Sequence, residues 1–442
     1  MSKKPRIIYA EKKYNADHVK GTFVDHSHYD ILIDEDCDVY APSFDGSMTE
    51  DNIVAKFRKS VFTKKEQELA YDGLRGAATQ SQNRGMAAGP RGDRLHAEGR
   101  GGRDWVSPYQ ISVLEFLTQP ANALVEREPL KEFVTKASKI KGDDETRGHV
   151  WLRSEITKER GEYDGWFDKW IKGLYNRSNV EQKKEAEYVK NKYISDTNYA
   201  QSVMSGVAGY YGRYPRIPYA RACSYNEKNP ELFSTSFPYL EKLNSQFKKL
   251  LPERWNVQKE ACGRLDPRFV IPNTVFTTLT VNHNWRTAAH LDAGDLGPGF
   301  SNISAVTKDN GWGGAYLVLP EYRVAINLRP GDCCMVANHT AIHGNTELEG
   351  EDNDRLSIVA YFREDLFDVK SWEYEQLRRR FVDDRRLNPK HPLQRKLWNG
   401  VSPGQWESEE WRDYLKKHNM IDEDGLVDVD GSKTSSLESF FD

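Results

Sequence analysis

Two histidines and one aspartate in the second half of this 442-residue chain have the types and spacing of a metal site. His290 and Asp292 are two residues apart, so on an extended segment their side chains point to the same side. His343 follows after the turn at Gly331 and Asp332. Two imidazoles and one carboxylate can hold Fe(II) and leave positions open for a 2-oxo acid and O₂. The sequence therefore predicts an iron centre formed by His290, Asp292 and His343.

Alternatives remain open around this prediction. His339 lies four residues before His343, and either histidine could face the metal, although the spacing to Arg355 favours His343. A second His-x-Asp pair, His28 and Asp30, has no later histidine in a β-like run and is interpreted as a solvated loop. A structural network of buried histidine and aspartate is the alternative to an iron centre.

An arginine and a serine follow on a later β-like run. The planar guanidinium of Arg355 can form two parallel hydrogen bonds to one carboxylate, which suits the distal carboxylate of 2-oxoglutarate. Ser357 lies two residues further on, on the same face of the strand, and can donate to that carboxylate. We therefore expect 2-oxoglutarate as co-substrate, bound by Arg355 and Ser357.

The segments that carry these side chains alternate between apolar and polar residues, as half-buried strands do. Short strands separated by glycine-rich turns are typical of a β-sandwich or a jelly roll. The sequence predicts an α+β fold with a jelly-roll core, a double-stranded β-helix. The expected strands are residues 30–34, 274–282, 302–307, 315–319, 322–328, 332–337 and 355–362.

Helical patterns flank this core and divide the chain into five predicted regions. Charged residues predict a helix over 51–69, and apolar spacing predicts another over 240–251 that ends at Pro252. The last two expected helices cover 374–381 and 406–417. The regions are an N-terminal part that supports the core (1–109), a helical insertion (110–200), the jelly-roll core (201–365), C-terminal helices (366–420) and a disordered acidic tail (421–442).

Glycine and arginine dominate residues 73–103, which contain few large apolar side chains and cannot pack a core. This basic loop could follow DNA phosphates, or it could be a solvated linker. The whole chain has a net charge of −4, but the last 22 residues carry −6 and residues 1–420 carry +2. Tight nucleic-acid binding through bulk charge is therefore excluded, and any affinity must come from local arginines.

The cysteines and the apolar segments indicate the compartment. The five cysteines are odd in number and form no CxxC pair, which fits a reducing cytosol. The N-terminus runs into no apolar signal region, and no stretch approaches the length of a membrane span. We expect a cytoplasmic protein with no membrane partner, in the host cytoplasm if the chain is phage-encoded.

Residues 277–363 resemble the catalytic core of Fe(II)/2-oxoglutarate dioxygenases. The matching segments are TLTVNHNWRTAAHLDAGD, GWGGAYLVLP, INLRPGD and HGNTELEGEDNDRLSIVAYFR. More narrowly, residues 200–365 and, weakly, 70–105 resemble the TET/J-binding-protein branch. The resemblance implies hydroxylation of the 5-methyl group of a pyrimidine in DNA, 5-methylcytosine or thymine, with Fe(II), 2-oxoglutarate and O₂ consumed to give succinate and CO₂.

The resemblance also implies roles for two residues outside the iron centre. Asp295 completes a His-x-Asp-x-x-Asp motif in which the third polar residue contacts a flipped base. Arg221, in the segment YPRIPYARACSY, would approach 2-oxoglutarate and the substrate. The structural alternatives are an Asx turn for Asp295 and a surface ion pair for Arg221.

A methyl group inside a duplex is out of reach of an active site, so the implied mechanism requires base flipping. Asn282 and Asn284 are candidates to read the flipped base, with a turn or edge-strand role as the alternative for each. The glycine-rich segment NRGMAAGPRGDR is similar to DNA-facing loops of the branch, which makes Arg84, Arg91 and Arg94 candidate DNA contacts.

The end of the acidic tail carries three apolar side chains, Leu437, Phe440 and Phe441. It resembles the short hydrophobic tails by which phage-type replication proteins dock on a sliding clamp, so a clamp or another replication protein is a predicted partner. An incidental Leu-Phe-Phe sequence is the alternative.

Two other functions remain compatible with the sequence. The chain could be a 2-oxoglutarate dioxygenase that acts on a protein side chain, a free nucleotide or a small molecule. It could also be a DNA-binding or clamp-tethered accessory protein whose jelly roll is purely structural.

Overall fold

The structure is a computed structural model that describes residues 4–81, 84–89, 203–212, 219–292, 294–308, 311–387, 406 and 408–420, with two short strands at 151–152 and 194–195. The chain divides into a first unit of residues 1–81, 202–391 and 399–442 and a second of residues 82–201 and 392–398. The predicted insertion, 110–200, falls within the second unit, and the helices expected there lie outside the described residues. The predicted domain boundaries stay predictions.

The described residues contain eighteen short strands. In chain order they are β1 Arg6–Tyr9, β2 Ile31–Ile33, β3 Cys37–Tyr40, β4 Ile53–Arg58, β5 Gln80–Ser81, β6 Trp151–Leu152, β7 Ile194–Ser195, β8 Val203–Tyr211, β9 Arg221–Ala222, β10 Thr278–His283, β11 Ser301–Val306, β12 Gly313–Gly314, β13 Leu317–Leu319, β14 Val324–Ile326, β15 Cys333–Val336, β16 Gly344–Asn345, β17 Leu348–Glu349 and β18 Leu356–Tyr361.

Helices flank these strands at positions set by capping residues. Thr63 and Glu66 form a reciprocal capping box that starts the first helix. Pro252 follows the end of the fourth helix and opens the fifth, where its missing N–H is no loss. The α-helices are α1 Lys64–Leu74, α2 Ser224–Lys228, α3 Pro230–Thr235, α4 Phe237–Leu250, α5 Pro252–Gly263, α6 Trp372–Leu387 and α7 Glu409–Lys417.

Two facing sheets in the first unit form the core. The larger has the order β1-β3-β4-β15-β11-β18-β10-β8-β5, with β9 paired to β8, and the smaller has the order β16-β13-β14-β2. One apolar cluster fills the space between the sheets and contains Phe57 and Ile303 from the larger sheet and Leu317 and Ile326 from the smaller. A second cluster packs the other face of the larger sheet against α1, α4 and α5.

Strand β18 shows how this layering positions polar side chains. Leu356 and Ile358 belong to the cluster on the helix side of the larger sheet. Ser357 and Val359 alternate with them and therefore point toward the space between the sheets. In β10, Asn282 lies directly across from Ser357. The interior of the jelly roll thus receives polar residues from neighbouring strands.

The predicted α+β jelly-roll fold is confirmed, and each predicted core strand overlaps an observed strand. The prediction of a helix over 51–69 is wrong in its first half, which forms strand β4, and α1 begins at Lys64. Strand β4 lies between β3 and β15, and it lacks simple alternation because consecutive residues Ile53, Val54 and Ala55 are all buried. Its charged residues Lys56 and Arg58 made it look helical, but both pair with Asp38 of β3.

Candidate active site

The two candidate ligand segments meet as a pair of extended chains. The backbone N–H of His290 donates to the carbonyl of His343 at 2.9 Å, and the N–H of His343 donates back to His290 at 3.0 Å. The two imidazole rings consequently lie side by side, with centroids 4.4 Å apart. His343 immediately precedes β16, so the smaller sheet holds this side of the bridge. Of the two candidates four residues apart, the structure brings His343 into the site and leaves His339 outside it.

His290, Asp292 and His343 present one ligand atom each within 4.8 Å of one another. The Nε2 of His290 lies 3.2 Å from Oδ1 of Asp292, and the Nε2 of His343 lies 3.7 Å from Oδ2. Two imidazole nitrogens and a carboxylate oxygen at these separations can surround a single divalent ion. The structure therefore supports the predicted metal cluster.

Backbone carbonyls orient both imidazole rings. The Nδ1 atoms of His290 and His343 lie 2.8 Å and 3.0 Å from the carbonyl oxygens of Ala288 and Ala341. A carbonyl can accept only, so each Nδ1 is assigned as the protonated nitrogen. The Nε2 lone pairs are then directed toward Asp292, as a metal-binding histidine requires.

The electrostatics of the cluster favour this arrangement. Burial and the neighbouring His290 lower the pKa of His343 to about 4, so its imidazole is neutral at pH 7. Burial would raise the pKa of Asp292, but the adjacent histidines outweigh it and hold that pKa below its ordinary value. The cluster thus has an ionised carboxylate beside a neutral imidazole.

Asn338 is a site residue that the sequence patterns did not identify. Its side-chain Nδ2 donates to Oδ2 of Asp292 at 2.9 Å, and its backbone carbonyl accepts from the backbone N–H of Asp292 at 3.1 Å. Asn338 is buried and follows β15 closely, so its position is well determined by the larger sheet. These contacts fix the direction in which the Asp292 carboxylate points.

Replacing Asn338 with alanine is expected to weaken divalent-metal binding by about 10–100-fold, because the carboxylate of Asp292 loses the donor that orients it. Titration with Mn²⁺ measures the effect. Asn327→Ala is the matched control, since Asn327 makes a similar bond to Asp34 away from the cluster, at 3.0 Å. Equal affinities in the wild type and in Asn338→Ala would contradict this role.

The N-terminal segment and a buried glutamate support the ligand segments from behind. Gly21 and Thr22 form backbone hydrogen bonds with Ala289, the residue before the first histidine ligand, at 2.7 Å and 2.9 Å. The carboxylate of Glu321 accepts from the backbone N–H of Ile342, the residue before His343, at 2.7 Å. No sequence pattern identifies these residues, because each of them contacts the backbone of a residue that precedes a ligand.

Arg355 is a buried cation with no carboxylate partner among the described residues. Its side chain is 3% exposed, and its Nε has no hydrogen-bond partner. Burial and the charge of Arg329 lower its pKa to about 10, which still leaves it protonated at pH 7. A buried unpaired charge is costly, so the surroundings of Arg355 are suited to an anionic ligand.

The neighbours of Arg355 include two more of the predicted residues. Ser357, 4% exposed, lies on the same strand face, toward the interior of the jelly roll. Across from it, the Oδ1 of Asn282 accepts from Ser205 at 2.5 Å. Asn282 therefore lies near Arg355, and its predicted contact with the substrate base stays a prediction.

Asn284 braces the start of β18. Its Oδ1 accepts from the backbone N–H of Arg355 at 2.7 Å, and its Nδ2 donates to the carbonyl of Asn353 at 2.5 Å. Its φ of 46° turns the chain sharply after β10. These contacts describe a structural role, and the predicted base contact of Asn284 stays a prediction.

Asp295 lies at the other end of β18, where it forms a backbone bridge with Arg363. Its carboxyl accepts from the hydroxyl of Ser301 at 2.5 Å. Burial and the nearby charge of Asp292 raise the pKa of Asp295 well above its ordinary value. Asp295 and Tyr361 line a narrow cleft. The structure thus places a buried carboxyl with a raised pKa close to the metal cluster.

Arg221 lies near this same end of the sheet. Its guanidinium lies 6.0 Å from the ring centroid of Tyr211, and the guanidinium of Arg363 lies 5.0 Å from the same ring. Arg355 precedes β18 and Arg363 follows its end, so about 20 Å of strand separates these two arginines. Arg221 therefore lies toward Asp295 and away from the start of β18. Its predicted role in 2-oxoglutarate binding stays a prediction.

The remaining predicted residues belong to the second unit or lie outside the described residues. Arg84 belongs to the second unit. Arg91, Arg94 and the tail residues Leu437, Phe440 and Phe441 lie outside the described residues. Among the helices that the structure describes, none combines the length and apolar character needed to cross a membrane.

Asp354, which precedes Arg355, joins several elements of the first unit. Its carboxylate accepts from Tyr71 of α1 at 2.8 Å, from His283 of β10 at 3.0 Å and from the backbone N–H of Lys308 at 2.8 Å. Burial alone would raise the pKa of Asp354, but these hydrogen bonds outweigh it and hold the pKa below the ordinary 3.8. The ionised carboxylate therefore fixes the start of β18.

Because its folded-state pKa is lowered, Asp354 stabilises the fold at pH values above 3.8 and loses this contribution as the pH falls through the folded-state pKa. Asp354→Asn is expected to unfold at lower urea concentration than the wild type at pH 7, and this difference should be smaller at pH 3, below the ordinary pKa of 3.8. The exposed Asp72→Asn is the control and should change little at either pH. A pH-independent difference for Asp354→Asn would contradict the assignment.

Comparison with known proteins agrees with this geometry. Residues 207–364 match the family described as the oxygenase domain of the 2OGFeDO superfamily, Tet_JBP. The chain is 34% identical over 186 residues to thymine dioxygenase JBP1 of Leishmania braziliensis, covering 41% of this chain and 22% of that protein. It is 35% identical over 167 residues to JBP1 of Trypanosoma brucei brucei, covering 36% of this chain and 19% of that protein. The matched region thus spans about a fifth of these relatives.

A solved structure of NgTET1 in complex with 5mC DNA aligns with a TM-score of 0.39 and 10% identity, covering 85% of this chain and 90% of that one. The matched residues include His290, Asp292 and His343 of the metal cluster, and also Arg355 and Ser357. Residues 207–364 of this chain are thus similar to the Tet_JBP oxygenase domain of the 2OGFeDO superfamily.

Proposed function

We propose that this chain is an Fe(II)- and 2-oxoglutarate-dependent dioxygenase that hydroxylates the 5-methyl group of a pyrimidine in DNA, thymine or 5-methylcytosine. The observation that carries the proposal is the convergence of His290, Asp292 and His343 within a Tet_JBP oxygenase domain. The relatives named thymine dioxygenases favour a DNA base over a protein side chain, a free nucleotide or a small molecule.

The donor set suits iron. Two imidazole nitrogens and one carboxylate oxygen within 4.8 Å of one another match the ligand types and number of a non-haem Fe(II) site with open positions. His290, Asp292 and His343 would hold the ion, and Asn338 would keep the carboxylate turned toward it. When bound there with 2-oxoglutarate and O₂, iron supplies the oxidation of a C–H bond to an alcohol, with succinate and CO₂ released.

The surroundings of Arg355 suit the co-substrate. A buried guanidinium without a carboxylate partner among the described residues gains most from a ligand that brings its own carboxylate. Ser357 lies on the same interior face and can add a hydroxyl donor. These residues would bind the distal carboxylate of 2-oxoglutarate and hold its other end toward the metal cluster.

The substrate base must leave the helical stack to reach the cluster, which costs a few kcal/mol of unstacking. The raised pKa of Asp295 favours the protonated carboxyl, which can donate one hydrogen bond and accept another. Such a pair suits the edge of thymine and the edge of 5-methylcytosine equally, so Asp295 supports base binding without selecting between the two. Its position near the metal cluster supports this assignment.

Further DNA contacts rest on the sequence. Arg84, Arg91 and Arg94 are proposed to contact the DNA backbone, and Arg221 is proposed to contact the substrate beside Arg363. Asn282 and Asn284 stay candidates for base contacts. The docking of Leu437, Phe440 and Phe441 on a sliding clamp is a proposal supported by the apolar end of the acidic tail alone.

Nucleoside mass spectrometry after incubation with DNA tests the proposed function. Duplexes containing thymine, 5-methylcytosine or neither (deoxyuridine in place of thymine) are compared in the presence of Fe(II) and 2-oxoglutarate. We expect a hydroxymethylated pyrimidine from at least one of the first two duplexes, and none from a His290→Ala variant. Succinate release that is equal on all three duplexes, with no modified base, would overturn the DNA substrate.

A further inference from the structure

We propose that the indole N–H of Trp312 is a second donor, beside Arg355, to the distal carboxylate of 2-oxoglutarate; this rests on the proposed function. The side chain of Trp312 is 8% exposed, and its Nε1 has no hydrogen-bond partner in the described chain. Buried N–H groups are nearly always satisfied, because an unmade hydrogen bond costs the full desolvation of the donor. The orphaned indole therefore indicates a missing acceptor.

Trp312 and Arg355 are neighbours, so one acceptor can serve both. The guanidinium carbon of Arg355 lies 5.7 Å from the ring centroid of Trp312. Each hydrogen bond to a carboxylate spans about 2.8 Å between heavy atoms, so neighbouring donors such as these can share one carboxylate. Its two oxygens offer enough lone pairs for the guanidinium and the indole together.

The charge around the indole favours an anion. Arg329 lies against the same ring, with its guanidinium carbon 5.9 Å from the centroid. Arg329 and Arg355 therefore place two positive charges on one indole, and the Arg329 charge contributes to the lowered pKa of Arg355. No acidic residue forms an ion pair with Arg355 in the part of the chain that the structure describes. A neutral ligand would leave this repulsion uncompensated.

The backbone holds Trp312 in place before any ligand binds. The two Nη atoms of Arg329 donate to the carbonyls of Trp312 and Gly314 at 2.9 Å and 3.2 Å. Gly314 has a φ of 58°, and a Cβ there would lie 2.1 Å from the carbonyl oxygen of Glu347. The chain thus passes so close to its neighbour at this point that only glycine fits, which fixes the backbone two residues after Trp312.

Isothermal titration of the Mn²⁺-loaded protein tests the proposal by comparing 2-oxoglutarate with 2-oxopentanoate, which has the same chain length and no distal carboxylate. Trp312→Phe is expected to reduce the preference for 2-oxoglutarate about tenfold, and Trp312→His, which keeps a ring N–H, should restore part of it. Trp255→Phe is the matched control, because Trp255 is also 8% exposed and its indole already donates to Asn244. Its preference should not change.

The wild-type protein provides a second readout that needs no variant. In the ¹⁵N–¹H spectrum of the indole groups, one resonance should move to higher frequency on addition of 2-oxoglutarate and stay in place with 2-oxopentanoate. An unchanged preference in Trp312→Phe, or no indole resonance specific to 2-oxoglutarate, would overturn the role of Trp312. A wild type that binds neither acid would instead overturn the proposed co-substrate itself.

Discussion

Asp292→Asn is expected to weaken Fe(II) binding by more than about 100-fold and to abolish hydroxylation. Asparagine keeps the shape of the side chain but removes the only anionic member of the cluster formed with His290 and His343. Loss of an outer hydrogen-bond partner of a ligand already costs about 10–100-fold in metal affinity, so loss of a ligand costs more. Mn²⁺ titration of the variant measures the loss without requiring turnover.

The chain supplies its own control for this prediction. Asp30 belongs to the second His-x-Asp pair, and its carboxylate pairs with Arg323 at the surface. Asp30→Asn should therefore leave metal affinity unchanged and alter the stability by less than about 1 kcal/mol. If Asp292→Asn bound Mn²⁺ as tightly as Asp30→Asn does, the metal centre proposed here would be wrong.

Arg355→Met is expected to have opposite effects on binding and on stability. Removing the guanidinium should weaken 2-oxoglutarate binding by about 100-fold or more, because the distal carboxylate loses its charged partner. The ligand-free protein should nevertheless become more stable, by on the order of 1–3 kcal/mol, because a buried charge without a carboxylate partner is replaced by an apolar side chain. Urea denaturation and calorimetric titration measure the two effects separately.

Arg329→Met is the matched control, and its effect on stability should have the opposite sign. Arg329 donates to two backbone carbonyls, which would lose their partners at a cost of about 1–3 kcal/mol. A ligand-free Arg355→Met protein that is destabilised like Arg329→Met would show that Arg355 supports the fold. In that case Arg355 would not be a binding group for an anionic ligand.

Local sequence was sufficient for the elements and for the ligand types. Strands β10, β11 and β18 were predicted because their alternation comes from one buried face. Strand β4 was mistaken for a helix, because Lys56 and Arg58 are charged and their partner Asp38 lies on a neighbouring strand. Pairing between strands is long-range, and a pattern within one segment does not contain it.

The sequence by itself determined the chemistry available to this protein: a His-x-Asp pair, a later histidine and an arginine two residues from a serine, carried on jelly-roll strands. The tertiary structure decided which groups meet. It paired His290 with His343 and left His339 aside, placed Asn338 on Asp292, and left Arg355 and Trp312 as buried donors without acceptors in the described chain. The reason is physical: residue type and local spacing are written in one segment, whereas burial and hydrogen-bond satisfaction depend on segments that only the fold brings together.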